Sequence, residues 1–247
     1  MRSFLVYLSV TLCIVLYLAV IGIPYLITLM LPTETCAHYM RILTLYMGKA
    51  VIYLGLRPFT RVKYTDLAEG NHAPGIYICN HRAATDAFLM AAFGIEAIQI
   101  VNGWPMKLPF FGFNARKCGY LDSTQTPMEA YPHIIRGLLD KGVSVIAFPE
   151  GTRSGAKEMN PFHSGIFKLA MDLKIPIYPC CIAGNERFPD RAFKFHRTDR
   201  ILVRRLPPLD PESYATMPSA FVLKKRVRTL IAEETAKMDN ELSHASL

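Results

Sequence analysis

The stretch GIYICNHRAATDAF (Gly75–Phe88) contains a strand, a loop and the start of a helix. GIYIC (Gly75–Cys79) is a short continuous apolar run, the pattern of a strand buried on both faces. Residues 84–93 then read as a helix, with Thr85 and Asp86 suited to its first turn. His81 falls on the loop between them. Residues five apart share no helix face, so His81 and Asp86 can meet only in this strand–loop–helix arrangement. An imidazole held by a carboxylate is a general base for a hydroxyl proton. A helix-capping Asp beside an ordinary loop His is the plainer reading of the same two residues.

Downstream, the pattern repeats. Ile98–Val101 reads as a strand, 128–140 as a helix, and VSVIAF (Val143–Phe148) as a second buried strand. Phe162–Leu173 is helix-like, IPIYPCC (Ile175–Cys181) strand-like, Ile201–Arg205 a further strand and Ser219–Lys237 a terminal helix. Strands alternating with helices predict an α/β domain, with a mostly parallel or mixed central sheet flanked by helices. With no internal repeat or low-complexity linker, residues 58–247 read as one domain.

FPEGTRS (Phe148–Ser154) leaves the second buried strand as NHRAATD leaves the first. Gly151 permits close backbone approach, and Arg153 at a strand end is suited to grip a phosphate. Glu150 is either a ligand for a substrate hydroxyl or a loop-ordering group. A polar turn with a solvated Arg is the alternative for the whole block. KLPFFGF (Lys107–Phe113) reads as a Pro- and Gly-bent apolar loop, suited to lining an acyl channel or to packing on the domain or a membrane. Arg187, Arg191, Lys194, His196, Arg197 and Arg200 cluster with Phe188, Phe193 and Phe195. Basic residues among aromatics suit nucleic acid, but beside a membrane segment anionic headgroups are the more economical partner.

That segment is N-terminal. The 31 positions from Ser3 to Thr33 hold no Asp, Glu, Lys, Arg or His, and about 20 apolar residues cross a bilayer core. Pro24 interrupts the run, leaving a single span or a re-entrant hairpin as the two forms. Residues 36–57 follow as a second helix, interfacial or buried, so 1–57 reads as membrane-anchoring helices. Arg41, Lys49, Arg57, Arg61 and Lys63 follow the run and only Arg2 precedes it, which puts the main domain on the cytoplasmic side. Of the 247 residues, 51% are hydrophobic and 19% charged, which excludes a disordered chain. The net charge of +8 suits an anionic surface or substrate. The six cysteines show no CxxC and no metal spacing, and read as buried thiols in a reducing compartment.

In their order, NHRAATD, KLPFFG, FPEGTRS and IPIYP behind an apolar N-terminus resemble the blocks of the 1-acylglycerol-3-phosphate acyltransferase family, within the wider glycerolipid acyltransferase group. The resemblance runs from about Thr60 to about Pro208. It implies that His81 is the general base and Asp86 orients it. It implies that Glu150, Gly151, Thr152 and Arg153 bind the glycerol phosphate and that Pro176 serves the acyl-donor side. Asn80, Arg82 and Lys107 join the substrate-binding set. No metal or cofactor is implied; the partners are the bilayer, a lysophospholipid acceptor and an acyl-CoA or acyl carrier protein donor, not nucleic acid.

One departure stands out. The family's second block ends in an Asp-Arg whose arginine contacts the acceptor phosphate, whereas here Asp122 is followed by Ser123. Either Lys107, Arg116 or Lys117 compensates, or the acceptor is a different lyso-lipid or amphipathic alcohol. Two rival functions fit the same residues: a membrane thioesterase or lipid hydrolase in which His81 activates water, and a non-catalytic membrane-binding module.

Overall fold

Alternate residues of the central strands face two separate cores. In β2 (Ile76–Cys79), Ile76 and Ile78 join one core, Tyr77 and Cys79 the other. In β6 (Ile177–Ala183), Ile177, Cys181 and Ala183 join the first, while Tyr178, Cys180 and Ile182 join the second. A strand covered on both faces has no polar side, so both segments read as unbroken apolar runs.

The structure, a computed structural model, describes residues 1–69 and 73–244. Its sheet also contains β1 (Arg61–Asp66), β3 (Ala97–Val101), β4 (Leu121–Asp122), β5 (Ser144–Ala147) and β7 (Arg200–Arg205), in the order β1-β7-β6-β2-β5-β3-β4. Only β6 and β7 pair antiparallel; the other neighbours run parallel. The expected α/β class with a mixed, mostly parallel sheet is thus the one that forms. β2 and β5 are direct neighbours, so the loops leaving their carboxyl ends lie side by side, at the edge where open α/β sheets bind ligands.

One face of the sheet is covered by α6 (Tyr131–Leu139), α7 (Gly165–Leu173) and α9 (Ala220–His244). The other is covered by α1 (Arg2–Leu29), α3 (Asp86–Leu89) with its 3-10 continuation Met90–Phe93, and the loop holding Phe188 and Phe195. α2 (Thr33–Ala50) runs back along α1 and ends in the π turn Val51–Gly55, so the helix expected over 36–57 is two pieces. The short α8 (Pro211–Tyr214) precedes α9.

Two further differences from the sequence reading stand out. KLPFFGF is not a bent loop: it joins α4 (Gly103–Met106) to α5 (Pro109–Cys118). Pro109 opens α5, where a missing N–H costs nothing. Gly112 is needed because a Cβ there would lie 2.0 Å from the Met106 carbonyl oxygen. Residues that read as breakers therefore serve as a helix start and a close crossing. The second change is β1, RVKYTD, an edge strand too polar to register as a strand in the sequence. Exposed Arg61 and Lys63 blunt its free edge. Bidentate donation from buried Arg205 to Asp66 (3.0 and 2.6 Å) ties it to β7.

Candidate active site

At the carboxyl end of β2 the chain turns sharply, and α3 begins at Asp86. This brings His81 Nδ1 to 2.7 Å from Asp86 Oδ2. Asp86 has no exposed surface, and it also accepts from the Ala83 N–H (2.9 Å) and from Asn185 Nδ2. A carboxylate with three donors is an acceptor at every contact, which makes Nδ1 the protonated ring nitrogen and leaves Nε2 basic. The imidazole packs on Phe148, ring centroids 4.6 Å apart.

The β5 loop is stitched to this one. Glu150 is buried, and its two oxygens accept the His81 N–H (2.7 Å) and the Asn160 N–H (2.8 Å). The amides of Ser154 and Gly155 donate to the carbonyls of His81 (2.7 Å) and Arg82 (3.1 Å). Burial pushes the Glu150 carboxyl above its ordinary pKa, against the lowering effect of the two amide bonds.

Both loops border a cavity of about 1180 Å³, whose other walls come from α1, the π turn and α3 to α7. His81, Gly151, Thr152 and Arg153 line it. Arg153 lies with its guanidinium carbon 4.6 Å from the Phe193 ring centroid, and its Nη1, though buried, has no hydrogen-bond partner. A buried N–H left unmatched costs about 1–3 kcal/mol, which an acceptor at this position would recover. It is the only arginine among the described residues that line the cavity.

Other residues of the expected substrate-binding set lie elsewhere. Asn80 is fully buried and bonds on both sides to the backbone of Ile182 (2.8 and 2.9 Å), locking β2 to β6. Arg82 is 1% exposed and forks onto Asp239 of α9 (2.8 and 2.7 Å). Burial works most strongly against its charge, but the Asp239 bonds together with the charges of Asp239, Glu186 and Asp86 outweigh it and leave its pKa raised. Glu150 has the loop-ordering geometry, with both oxygens occupied by amides. Pro176 sits at the opposite edge of the sheet, where its carbonyl accepts from the Ile76 N–H (2.9 Å) at the start of β2. Lys107, Arg116 and Lys117 are exposed and outside the cavity lining, so none stands where the absent arginine was expected. Ser123 does line the cavity.

Several site residues were not legible in the sequence. Asn185, at the carboxyl end of β6, reaches Asp86 across 99 positions; its place just beyond a buried strand was the available signal. Tyr7, Trp104 and Phe193 line the cavity from three distant segments, and only the fold assembles them.

The acyltransferase family model matches residues 61–183, which include both loops. The 1-acyl-sn-glycerol-3-phosphate acyltransferase of Escherichia coli K12 is 26% identical over 204 residues, 79% of this chain and 80% of that protein. The enzyme of the same name from Cocos nucifera is 30% identical over 123 residues, 48% of this chain and 40% of that one. The crystal structure of the Thermotoga maritima 1-acyl-sn-glycerophosphate acyltransferase PlsC has the same fold, with a TM-score of 0.77 at 20% identity over 96% of both chains. Sequence blocks, loop geometry and these relatives agree: residues 61–183 carry an acyltransferase-family domain, similar to those of the 1-acyl-sn-glycerol-3-phosphate acyltransferases.

Proposed function

We propose that the protein moves a fatty acyl group from a thioester, acyl-CoA or acyl carrier protein, to the free hydroxyl of a lysophospholipid, with 1-acylglycerol-3-phosphate as acceptor. The observation that carries this reading is that His81, paired with buried Asp86, lines the same large cavity as a guanidinium with an unmatched N–H. His81 Nε2 takes the hydroxyl proton as the oxygen attacks the thioester carbonyl, and Asp86 stabilises the imidazolium. Collapse of the tetrahedral intermediate breaks the C–S bond, and the thiolate recovers the proton from Nε2. Arg153, with Gly151 and Thr152 beside it, holds the acceptor phosphate. The cavity exceeds the roughly 300–1,000 Å³ of ordinary small-molecule pockets, in keeping with two long-chain substrates.

We also propose that the protein works at a membrane surface, on its cytoplasmic side. α1 is long and apolar enough to cross a bilayer. Yet it is bonded to the domain from end to end: Arg2 Nη2 to the Phe59 carbonyl (3.1 Å), Ser9 to Gly55 (2.8 Å), Tyr17 to Leu43 (2.7 Å) and Tyr25 to Asn114 (3.1 Å). These contacts along its whole length favour α1 lying in the interface with its outer face in lipid. An in-plane helix gives the positive-inside rule no crossing to orient. The cytoplasmic side is supported instead by six unpaired cysteines, five of them buried.

Purified protein is to be assayed with acyl-CoA and lysophosphatidate. Esterified product is expected, with a loss of about 10²–10⁴-fold or more in His81→Ala. Release of free fatty acid instead would establish a hydrolase. The Ser123→Arg variant addresses the acceptor: it is expected to improve use of lysophosphatidate relative to a lyso-lipid without a phosphomonoester. If wild type already favours lysophosphatidate and Ser123→Arg changes nothing, Arg153 suffices.

A further inference from the structure

The unmatched Arg153 is held in place by a segment outside every sequence block. Between β6 and β7 the chain makes a tight turn at Asp190–Lys194, closed by the Asp190 N–H donating to Lys194 (3.0 Å) and the Phe193 N–H donating to Asp190 (3.0 Å). Asp190 Oδ1 accepts the amides of Ala192 and Lys194 (both 2.9 Å), and Oδ2 meets His196 Nε2 at 2.7 Å. This turn forces Phe193 to φ +60, left-handed backbone that a residue with a side chain adopts at a cost. A glycine would fit without strain, yet the position carries a ring that is 42% exposed. That ring lines the cavity, lies 4.6 Å from the Arg153 guanidinium and meets Trp104 edge-on at 6.4 Å.

Two further contacts fix the arrangement. From the same turn, Arg191 Nη2 donates to the carbonyls of Arg153 (3.1 Å) and Ser154 (2.8 Å). It fits because residue 155 is glycine; a Cβ there would stand 3.0 Å from Arg191 Nε. From the opposite side, the Tyr7 hydroxyl of α1 donates to the Phe193 carbonyl (2.9 Å), and the Tyr7 ring packs edge-on against Phe195 at 5.0 Å.

We propose that Phe193 is a positioning residue for the acceptor: its ring holds the Arg153 guanidinium with Nη1 free for the acceptor's phosphate, and Tyr7 holds Phe193, so the N-terminal helix completes the acceptor site. This rests on the reading of Arg153 as the phosphate grip. A cation held on a ring keeps its charge while its edge remains free to donate. A long side chain so fixed loses less rotamer entropy when the ligand arrives. Because the prop comes from the membrane-facing helix, the grip is complete only when α1 is seated on the domain.

The test is steady-state kinetics of the full-length protein in mixed micelles, with lysophosphatidate and acyl-CoA varied separately. Phe193→Gly relieves the backbone and removes only the ring. Its thermal midpoint is expected at or above wild type, with the acceptor KM raised about 5- to 10-fold and kcat and donor KM within about twofold. Phe193→Trp, which keeps the cation–π contact, is expected to restore the acceptor KM. Tyr7→Phe, lacking one hydroxyl, is expected to raise it about 2- to 3-fold. An unchanged acceptor KM in Phe193→Gly, a parallel shift of kcat and both KM values, or failure of Phe193→Trp to restore would each overturn the assignment. An unchanged acceptor KM in Tyr7→Phe would overturn the part assigned to α1. Arg153→Lys in the same assay separates the two levels. If it leaves the acceptor KM unmoved, the phosphate grip itself is wrong; if it responds and Phe193→Gly does not, only the positioning role fails.

Discussion

Asp86 has no exposed surface and receives hydrogen bonds from His81, Ala83 and Asn185. Replacing it with Asn presents an NH₂ group to at least one donor and removes the partner of the imidazolium. Asp86→Asn is expected to lose about 10²–10⁴-fold in kcat while keeping the native circular dichroism spectrum. Near-normal turnover would remove Asp86 from the mechanism. Glu150 acts on the same loop from beneath. In Glu150→Gln one of its two amide donors faces another donor, an expected stability cost of about 1–3 kcal/mol. The sign of the pH dependence follows from burial, which raises the Glu150 pKa above 4.5. Such a group favours the folded state fully below its unfolded value, and the contribution is lost as pH rises through the folded value. The thermal-midpoint difference between wild type and Glu150→Gln should therefore narrow as pH is raised through the mildly acid range. If it widens, the amide bonds outweigh burial. The types of Asn80, Arg82 and Glu150 suggested ligands in the sequence. In the structure Asn80 and Glu150 have their polar groups turned to protein partners, as do both terminal nitrogens of Arg82, and satisfaction of a polar group is a property of its neighbours, not of its type.

Among the elements, α9 matters most to the site without bordering the cavity. Its Asp239 forks onto Arg82, the residue next to His81, and its Glu234 and Glu241 hold Arg204 of β7. Removing one partner of a buried pair strands the other charge. Asp239→Ala is therefore expected to lower unfolding free energy by about 3 kcal/mol in urea titrations, with turnover falling as the loop around His81 loosens. An unchanged urea midpoint would mean that Glu186, 3.3 Å from Arg82 Nη1, carries the charge alone. The elements also show where local pattern reading stops. β2 and β5 were legible because burial on both faces leaves an apolar run bounded by turn residues. β6 runs Ile177–Ala183 rather than 175–181, because Pro176 and Pro179 blur its start. β1 is assigned by its pairing with β7, and a pairing partner 139 residues away leaves no mark on local composition.

For the molecule as a whole, the N-terminal helix is both cover and contact. Its inner face meets the sheet through Val6, which is fully buried, while outer residues such as Leu16 (57% exposed) and Val20 (82%) have no protein neighbours to cover them. Full-length protein is expected to stay with membranes through a high-salt wash and to leave in detergent. Leu16→Lys with Val20→Lys should weaken binding to vesicles while leaving the melting temperature near wild type. Release by salt alone would make the attachment electrostatic rather than apolar.

Legible along the chain were the α/β class, a loop at the end of each of two buried strands, the spacing that lets His81 meet Asp86, and the acyltransferase blocks. All of these rest on hydrophobic period, turn chemistry and short spacings, which are local. Packing alone placed β2 beside β5, α1 along the domain, Arg82 on α9, Pro176 at the far edge, and Tyr7 and Phe193 beside Arg153. Those outcomes depend on contacts between residues as much as 192 positions apart. No local pattern encodes such contacts, because each is fixed by the packing of the whole sheet and its two helical covers.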